Sequence, residues 1–283
     1  MKFKNIKYWA FTKSYGLYIN LFSIMSPIKA SNKAFELFSS PRKGKLSHDA
    51  IPNVLLDATL ETINYNQNDY QAYIWQGNDE IILLVHGWES NTSRWKKLLP
   101  YLKKTKKTIV AIDAPAHGLS TGTEFTVTNY AKIIAEMVKK YNPRYIIAHS
   151  IGGLASIYYQ YINQNPAINK MILLGSPSDF QVIANNYCNT LSLNNRVKIE
   201  LEKRFAEKLT MTIDDFSGMK FGNKIKTATL VIHDNADTVV SINEGKKIAS
   251  TLKNAQFLIT DNLGHAMQNR KLYSKMVDYL LET

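Results

Sequence analysis

The sequence predicts an α/β fold: a mostly parallel, twisted sheet with helices on both faces, a helical insertion and an N-terminal helical extension. Three observations lead there. Ile81-Ile82-Leu83-Leu84-Val85 is an unbroken apolar run, which suits a strand covered on both faces. From that run onward, short β-prone segments alternate with longer helical ones, the rhythm of βαβ crossovers. Glycines and histidines gather just after those strands, at the sheet edge where open α/β folds bind their ligands.

Residues 5–25 are rich in Tyr, Phe, Leu and Ile and predict one helix with a wide apolar face. Ser26-Pro27 fits the start of a second helix reaching about Phe38, since proline is tolerated in a first turn. Ser40-Pro41-Arg42-Lys43-Gly44 then reads as a linker. By default such a helical pair packs on its own domain; a second subunit or a membrane surface is the alternative. Thr62–Tyr65 and Tyr70–Trp75, separated by Asn66-Gln67-Asn68-Asp69, predict a hairpin. After the Ile81–Val85 strand, the pattern predicts a helix over Arg94–Lys103, a strand over Thr108–Ile112 and a helix over Val127–Tyr141. A strand over Tyr145–Ala148, a helix over Gly152–Asn163 and a strand over Met171–Leu174 follow.

The rhythm stops after Pro177. Residues 178–222 hold helical stretches, notably Asn195–Lys208, and no convincing strand. Long connections in compact domains are usually functional, so this one predicts a lid over the carboxyl edge of the sheet. A strand over Thr229–Ile232, a helix over Ile242–Leu252, a strand over Gln256–Ile259 and a helix over Asn269–Leu281 complete the chain. The expected organisation is a basic helical extension over residues 1–50 and an α/β domain over 51–283, with the lid inserted at about 178–222.

A chain of 283 residues can bury a large core, and 45% apolar with 20% charged residues is ordinary for a soluble protein. The one cysteine, Cys188, excludes an intramolecular disulfide and fits a reducing, cytoplasmic setting. The net charge of +12 is uneven: residues 1–50 hold nine Lys/Arg against two Asp/Glu. A solvated basic surface is the plain reading of that excess, and weak attraction to anionic lipid or nucleic acid the sharper one. No nucleic-acid partner is expected, whereas peripheral membrane contact through residues 1–40 stays open. Ser14–Ile28 is uncharged but too short to span a bilayer, which takes ~20 residues. Lys13 interrupts the apolar stretch and no small-x-small cleavage site closes it, so a folded appendage is favoured over a signal peptide. The sequence does not specify an oligomeric state.

Five of the six histidines lie after predicted strands, and only His48 lies elsewhere. Ser150 sits between a strand and a helix, flanked by Ala148 and by Gly152-Gly153. Small residues there allow a tight turn that lifts the hydroxyl above the sheet. A serine hydroxyl needs a base, and His265, on a loop before the last helix, can take its proton and return it to a leaving group. Asp237 would orient that imidazole; Asp234 and Asp179 are its rivals. An oxyanion needs two donors. Ile151 N–H at the start of a helix offers one, and Trp88 N–H, after Gly87, offers the other. The Trp88 side chain and His149 are expected to line the substrate pocket.

These residues together resemble the α/β-hydrolase superfamily, in its lipase- and esterase-like group with a helical lid. Ile82–Ser90 resembles the family's strand followed by His-Gly-x, and Asp113–Ser120 its Asp-x-Pro-Gly-His-Gly-x-Ser loop with alanine for one glycine. Ala148–Gly153 resembles the nucleophile elbow, again with alanine for glycine, His233–Val240 the acid loop and Gly264-His265 the histidine loop. The likeness covers roughly residues 60–283 and leaves residues 1–50 outside it. It implies a Ser150-His265-Asp237 triad, two-step acyl transfer on a small-molecule ester or acyl substrate, and no cofactor or metal. It also implies structural hydrogen bonds for His86, His117, His149 and His233. Dehalogenases and soluble epoxide hydrolases of this fold carry aspartate at the elbow, so Ser150 speaks against both. The expected activity is carboxylic ester hydrolysis. Acyl transfer to another acceptor, thioester or amide cleavage, carbon–carbon bond hydrolysis and a non-catalytic binding role are its alternatives.

Overall fold

The alternation of strand and helix builds one eight-stranded sheet. The computed structural model describes residues 3–282. The strands are β1 (Thr59–Tyr65), β2 (Asn68–Trp75), β3 (Asn78–Val85), β4 (Lys107–Ile112), β5 (Tyr145–His149), β6 (Lys170–Leu174), β7 (Ala228–Asp234) and β8 (Ala255–Thr260). Their order across the sheet is β1-β2-β4-β3-β5-β6-β7-β8. β1 pairs with β2, and β2 with β4, antiparallel; every other pairing is parallel. β4 and β5 are buried along their whole length, as a sheet covered on both faces requires.

Among the described residues there are ten α-helices, in chain order α1 (Phe3–Met25), α2 (Pro27–Ser39), α3 (Leu99–Lys103), α4 (Val127–Tyr141), α5 (Ile151–Asn163), α6 (Phe180–Leu191), α7 (Asn195–Leu209), α8 (Gly218–Gly222), α9 (Ile242–Thr251) and α10 (Arg270–Leu281). Sequence logic accounts for most of their ends. Ser26 caps α2 by accepting from Lys29 N–H, with Pro27 in the first turn. Thr126 caps α4, which buries Ile133, Ile134, Met137 and Val138, the stripe that its period predicts.

Two expectations are corrected. The single helix over Arg94–Lys103 is a 3₁₀ stretch, Thr92–Lys97, followed by the short α3. Pro100 has no N–H to donate and sits in the first turn of α3, so no continuous helix runs through it. The hairpin loop is also tighter than four residues. Asn68 and Asp69 pair with Tyr65 and Asn64, leaving Asn66 and Gln67 to turn the chain at φ 47° and 62°.

The chain divides into two compact units. One runs over Pro41–Ser178 and Gly218–Thr283 and contains the sheet. The other joins the segment ending at Ser40 to the insertion Asp179–Ser217. In this second unit α1 and α2 pack with α6 and α7 around a cluster of rings. Phe205 meets Phe35, Phe38 and Phe180 at centroid distances of 5.9, 4.8 and 5.2 Å. Tyr187 Oη donates to Ala34 O at 2.6 Å. The N-terminal extension and the insertion, far apart in sequence, thus share one core. Among the described residues, no helix is long and apolar enough to cross a membrane.

Phe205 is the hub of that ring cluster and almost fully buried. Phe205→Ala should cost about 3–5 kcal/mol, read as a lower midpoint in urea unfolding followed by circular dichroism.

Candidate active site

β5 ends at His149 and α5 begins at Ile151, so Ser150 alone makes the turn. It takes φ 54° and ψ −129°, backbone angles that L-residues rarely adopt. Two bonds hold it there: Ser150 N–H donates to Leu174 O of β6 at 2.8 Å, and Ser150 O accepts from Gly153 N–H at 2.8 Å. The β3 loop runs against this turn. A Cβ added to Gly87 would lie 2.9 Å from Ser150 Cβ, so only glycine fits between the loop and the elbow. Trp88 follows, edge-on to His117 and Phe125 at 5.3 and 5.4 Å, and partly exposed. The N–H groups of Trp88 and Ile151 enter none of the loop hydrogen bonds among the described residues.

His265 Nε2 lies 3.0 Å from Ser150 Oγ, and His265 Nδ1 lies 2.8 Å from Asp237 Oδ2. With a carboxylate at Nδ1, the imidazole carries its proton there and presents Nε2 to the serine hydroxyl as an acceptor. Asp237 Oδ1 accepts from Val239 and Val240 N–H at 2.8 and 2.9 Å. Burial alone would raise the carboxyl pKa, but the bonds from His265, Val240 and Val239 outweigh it and hold the group below the usual range.

The rival carboxylates are engaged elsewhere. Asp234 Oδ1 accepts from Ala236 and Gly264 N–H at 2.9 and 3.0 Å. Its Oδ2 accepts from Thr260 Oγ1 and Leu263 N–H at 2.7 and 3.0 Å. Asp234 therefore ties the loop bearing Asp237 to the loop bearing His265. Asp179 belongs to the helical unit, where its Oδ1 accepts from Ser217 Oγ at 2.6 Å.

His149 is placed differently from its expected pocket role. Its ring is buried against His265, with centroids 4.8 Å apart, and both nitrogens are engaged. Nδ1 lies 2.7 Å from Arg94 Nη1, and Nε2 lies 2.8 Å from His265 O. A guanidinium only donates, so Nδ1 accepts and Nε2–H donates to the His265 carbonyl. Burial, helped by the neighbouring Arg94 and His265, holds the His149 pKa well below 6.5. Arg94 also reaches Ala266 O at 3.4 Å and lies 4.9 Å over the Trp95 ring; burial lowers its pKa to about 10. Sequence reasoning missed Arg94. It sits in a segment that reads as plain helix, and its partner lies 55 positions away.

His86 and His117 tie the remaining loops. His86 Nε2 accepts from Ala114 N–H at 2.9 Å and Nδ1 donates to Gly87 O at 2.7 Å. His117 Nε2 accepts from Glu89 N–H at 3.0 Å and Nδ1 donates to Pro115 O at 2.8 Å. His233 Nε2 donates to Val240 O at 2.9 Å. Asp113, fully buried, accepts from Tyr73 Oη, Thr92 N–H and Leu119 N–H at 2.8, 2.8 and 2.9 Å.

The family model for the alpha/beta hydrolase fold matches residues 80–197. The chain has the α/β-hydrolase fold and over that stretch is similar to the α/β-hydrolase superfamily. A human serine hydrolase-like protein is 30% identical over 102 residues, a stretch covering 34% of this chain and 49% of that protein. This chain therefore spans only about half the length of that relative. Monoacylglycerol lipase abhd6-B of Xenopus laevis is 21% identical over 267 residues, covering 75% of this chain and 78% of the lipase. Among solved structures, a meta-cleavage product hydrolase of Pseudomonas fluorescens IP01 superposes with a TM-score of 0.60 at 14% identity. That match covers 80% of this chain and 98% of the other. From the sequence pattern of that fold the chain departs at two alanines. Ala148 is fully buried in the sheet, paired with Val85 and Leu173, where a methyl group is accommodated. Ala116 stands at φ 64°, in the left-handed region, where a Cβ costs about 1–2 kcal/mol.

Two measurements follow. Burial lowers both His86 and His117 from 6.5 to about 4, so the unfolded chain takes up protons between those pH values and the folded one does not. Stability therefore falls as pH drops from 6.5 toward 4, by about 2 kcal/mol per histidine at pH 5; urea unfolding at pH 7 and pH 5 measures the difference. The Ser150 backbone angles also predict that Ser150→Gly is more stable than Ser150→Ala by about 1 kcal/mol, read from their melting temperatures.

Proposed function

We propose that this chain is a serine hydrolase that cleaves carboxylic esters through an acyl-enzyme. One observation carries the reading: the continuous relay from Asp237 Oδ2 through His265 to Ser150 Oγ, with links of 2.8 and 3.0 Å, at a strained strand-to-helix turn. A serine capping an ordinary helix needs neither the buried carboxylate nor the strain. The names of two relatives, a serine hydrolase-like protein and a monoacylglycerol lipase, point the same way.

In this reading Ser150 Oγ attacks the ester carbonyl while His265 Nε2 takes its proton. The carbonyl oxygen becomes an oxyanion, held by the N–H groups of Trp88 and Ile151, each contributing about 3 kcal/mol to the barrier reduction. Collapse expels the alcohol, which receives the proton from His265. Water, deprotonated by His265, then attacks the acyl carbon, and the same two donors hold the second oxyanion. Collapse breaks the bond to Ser150 Oγ, which takes back the proton from His265, and release of the acid restores the site. Asp237 stays ionised throughout and stabilises the imidazolium that forms in each step. Arg94 and His149 act at one remove, fixing the His265 backbone so that the ring faces the serine.

Fluorophosphonate probes should label the wild-type protein and leave Ser150→Ala unlabelled; equal labelling of both would reject Ser150 as the nucleophile. Hydrolysis of p-nitrophenyl acetate should vanish in His265→Ala, and kcat should fall about 10⁴-fold in Asp237→Asn, which presents the wrong tautomer of His265. Unchanged turnover in either variant would reject the relay. A panel of esters graded in acyl length then assigns the substrate class.

A further inference from the structure

α1 is built inside out. Its packed face carries Thr12, Gly16, Ile19 and Ser23, spaced at i, i+4, i+7 and i+11. Three of these four are small or polar. A Cβ added to Gly16 would lie 1.8 Å from Leu191 O, so the helix approaches the end of α6 at backbone distance. Thr12 and Ser23 turn their hydroxyls back onto Trp9 O and Asn20 O. Asn20 Nδ2 donates to Ser192 O and its Oδ1 accepts from Asn194 N–H, both at 2.8 Å.

The opposite face carries the large apolar residues. Leu17 is 59% exposed, Leu21 57%, Ile24 68% and Met25 84%. Phe11, Tyr15, Tyr18 and Phe22 run as a ladder of rings along the helix at 5.8–6.1 Å spacings. Trp9 and Tyr8 are exposed at its start, and Ile28 beyond its end. A helix of a water-soluble domain does the reverse, turning its apolar stripe to the core. Contiguous exposed apolar surface marks a contact with something else.

Charge selects the occupant. Residues 1–40 hold six lysines and one acidic residue, Glu36. Lys7 and Lys29, at either end of the apolar face, are exposed. A second copy of the chain would bring this lysine-rich segment against its own like charge. An anionic phospholipid surface meets both requirements: acyl chains for the leucines and rings, headgroups for the ammonium groups. Exposed Trp and Tyr beside lysine are the residue types that settle at the bilayer interface. We infer that α1 is an in-plane anchor that binds the protein to anionic phospholipid bilayers through its outward aromatic and leucine face, independently of Ser150 and its partners.

The test is flotation of the full chain with vesicles. The protein should rise with equimolar phosphatidylglycerol and phosphatidylcholine, and at least tenfold less with phosphatidylcholine alone. Leu17→Glu combined with Leu21→Glu changes only exposed side chains. It should abolish flotation while leaving fluorophosphonate labelling and the far-ultraviolet circular dichroism unchanged. Trp9 is exposed, whereas Trp75 and Trp95 are buried and Trp88 partly so. Anionic vesicles should therefore shift tryptophan emission to the blue, and Trp9→Phe should remove that shift. Failure of the wild type to float with anionic vesicles would overturn the inference, as would flotation unchanged in the double variant. It would also fail if the vesicle-free protein proved to be a dimer that the double variant splits on light scattering, since a second copy would then occupy the face. Labelling is read separately, so loss of hydrolase activity and loss of membrane binding are told apart.

Discussion

The single turn at Ser150 is the constraint around which the sheet unit is arranged. A residue at φ 54° and ψ −129° does not stay there on its own preference; such angles cost on the order of 1–3 kcal/mol and persist only where the surroundings over-determine them. Here the determinants come from several strands. β6 supplies the carbonyl of Leu174 that fixes Ser150 N–H, and the β3 loop passes at a distance only Gly87 permits. The strain places one hydroxyl at the strand end without a helix-cap bond of its own: Ser150 Oγ has no capping contact and is left for His265.

The loops that meet at this turn are held by buried polar groups as well as by apolar packing. Asp113 and Asp234 each accept three or more hydrogen bonds, mostly from backbone N–H groups. Neutral imidazoles do the complementary work, accepting at one nitrogen and donating at the other. Satisfied networks of this kind define one loop geometry, because any displaced member would leave a desolvated polar group behind. The same design makes the unit sensitive to acid, since the imidazoles that serve as acceptors in the fold take up protons once the chain opens.

Much of this was legible in the sequence, for physical reasons. Strands buried on both faces betray themselves as apolar runs, so β3 to β7 were readable to within three residues at every end. Ser150 and Asp237 were readable because each follows such a strand and His265 because it comes last in the order after the half-exposed β8; three independent positions in one order are hard to meet by chance. Arg94 was not readable. Its role depends on a contact with His149 across the fold, and nothing in the Asn91–Trp95 stretch marks one arginine among the surface cations. The short helices after β3 were misread because helical periodicity outweighed the missing N–H of Pro100. The union of the N-terminal helices with the insertion was also hidden, since long-range partnership between two amphipathic segments leaves no local signal.

The choice between Asp234 and Asp237 shows what hydrogen-bond accounting adds to chain order. Asp234 ends β7 and Asp237 lies three residues beyond it; both side chains are buried and both are held ionised by donors. A carboxylate can orient an imidazole only if an oxygen faces the ring. Asp234 has both oxygens committed to Thr260 and to the backbone of Ala236, Leu263 and Gly264. Asp237 gives one oxygen to the backbone of Val239 and Val240 and turns the other to His265. The two residues therefore divide the labour: the first sets the distance between the acid and histidine loops, and the second acts across it. Removing Asp234 would displace His265 without touching its acid partner, whereas removing Asp237 would leave the ring in place with its proton on the wrong nitrogen.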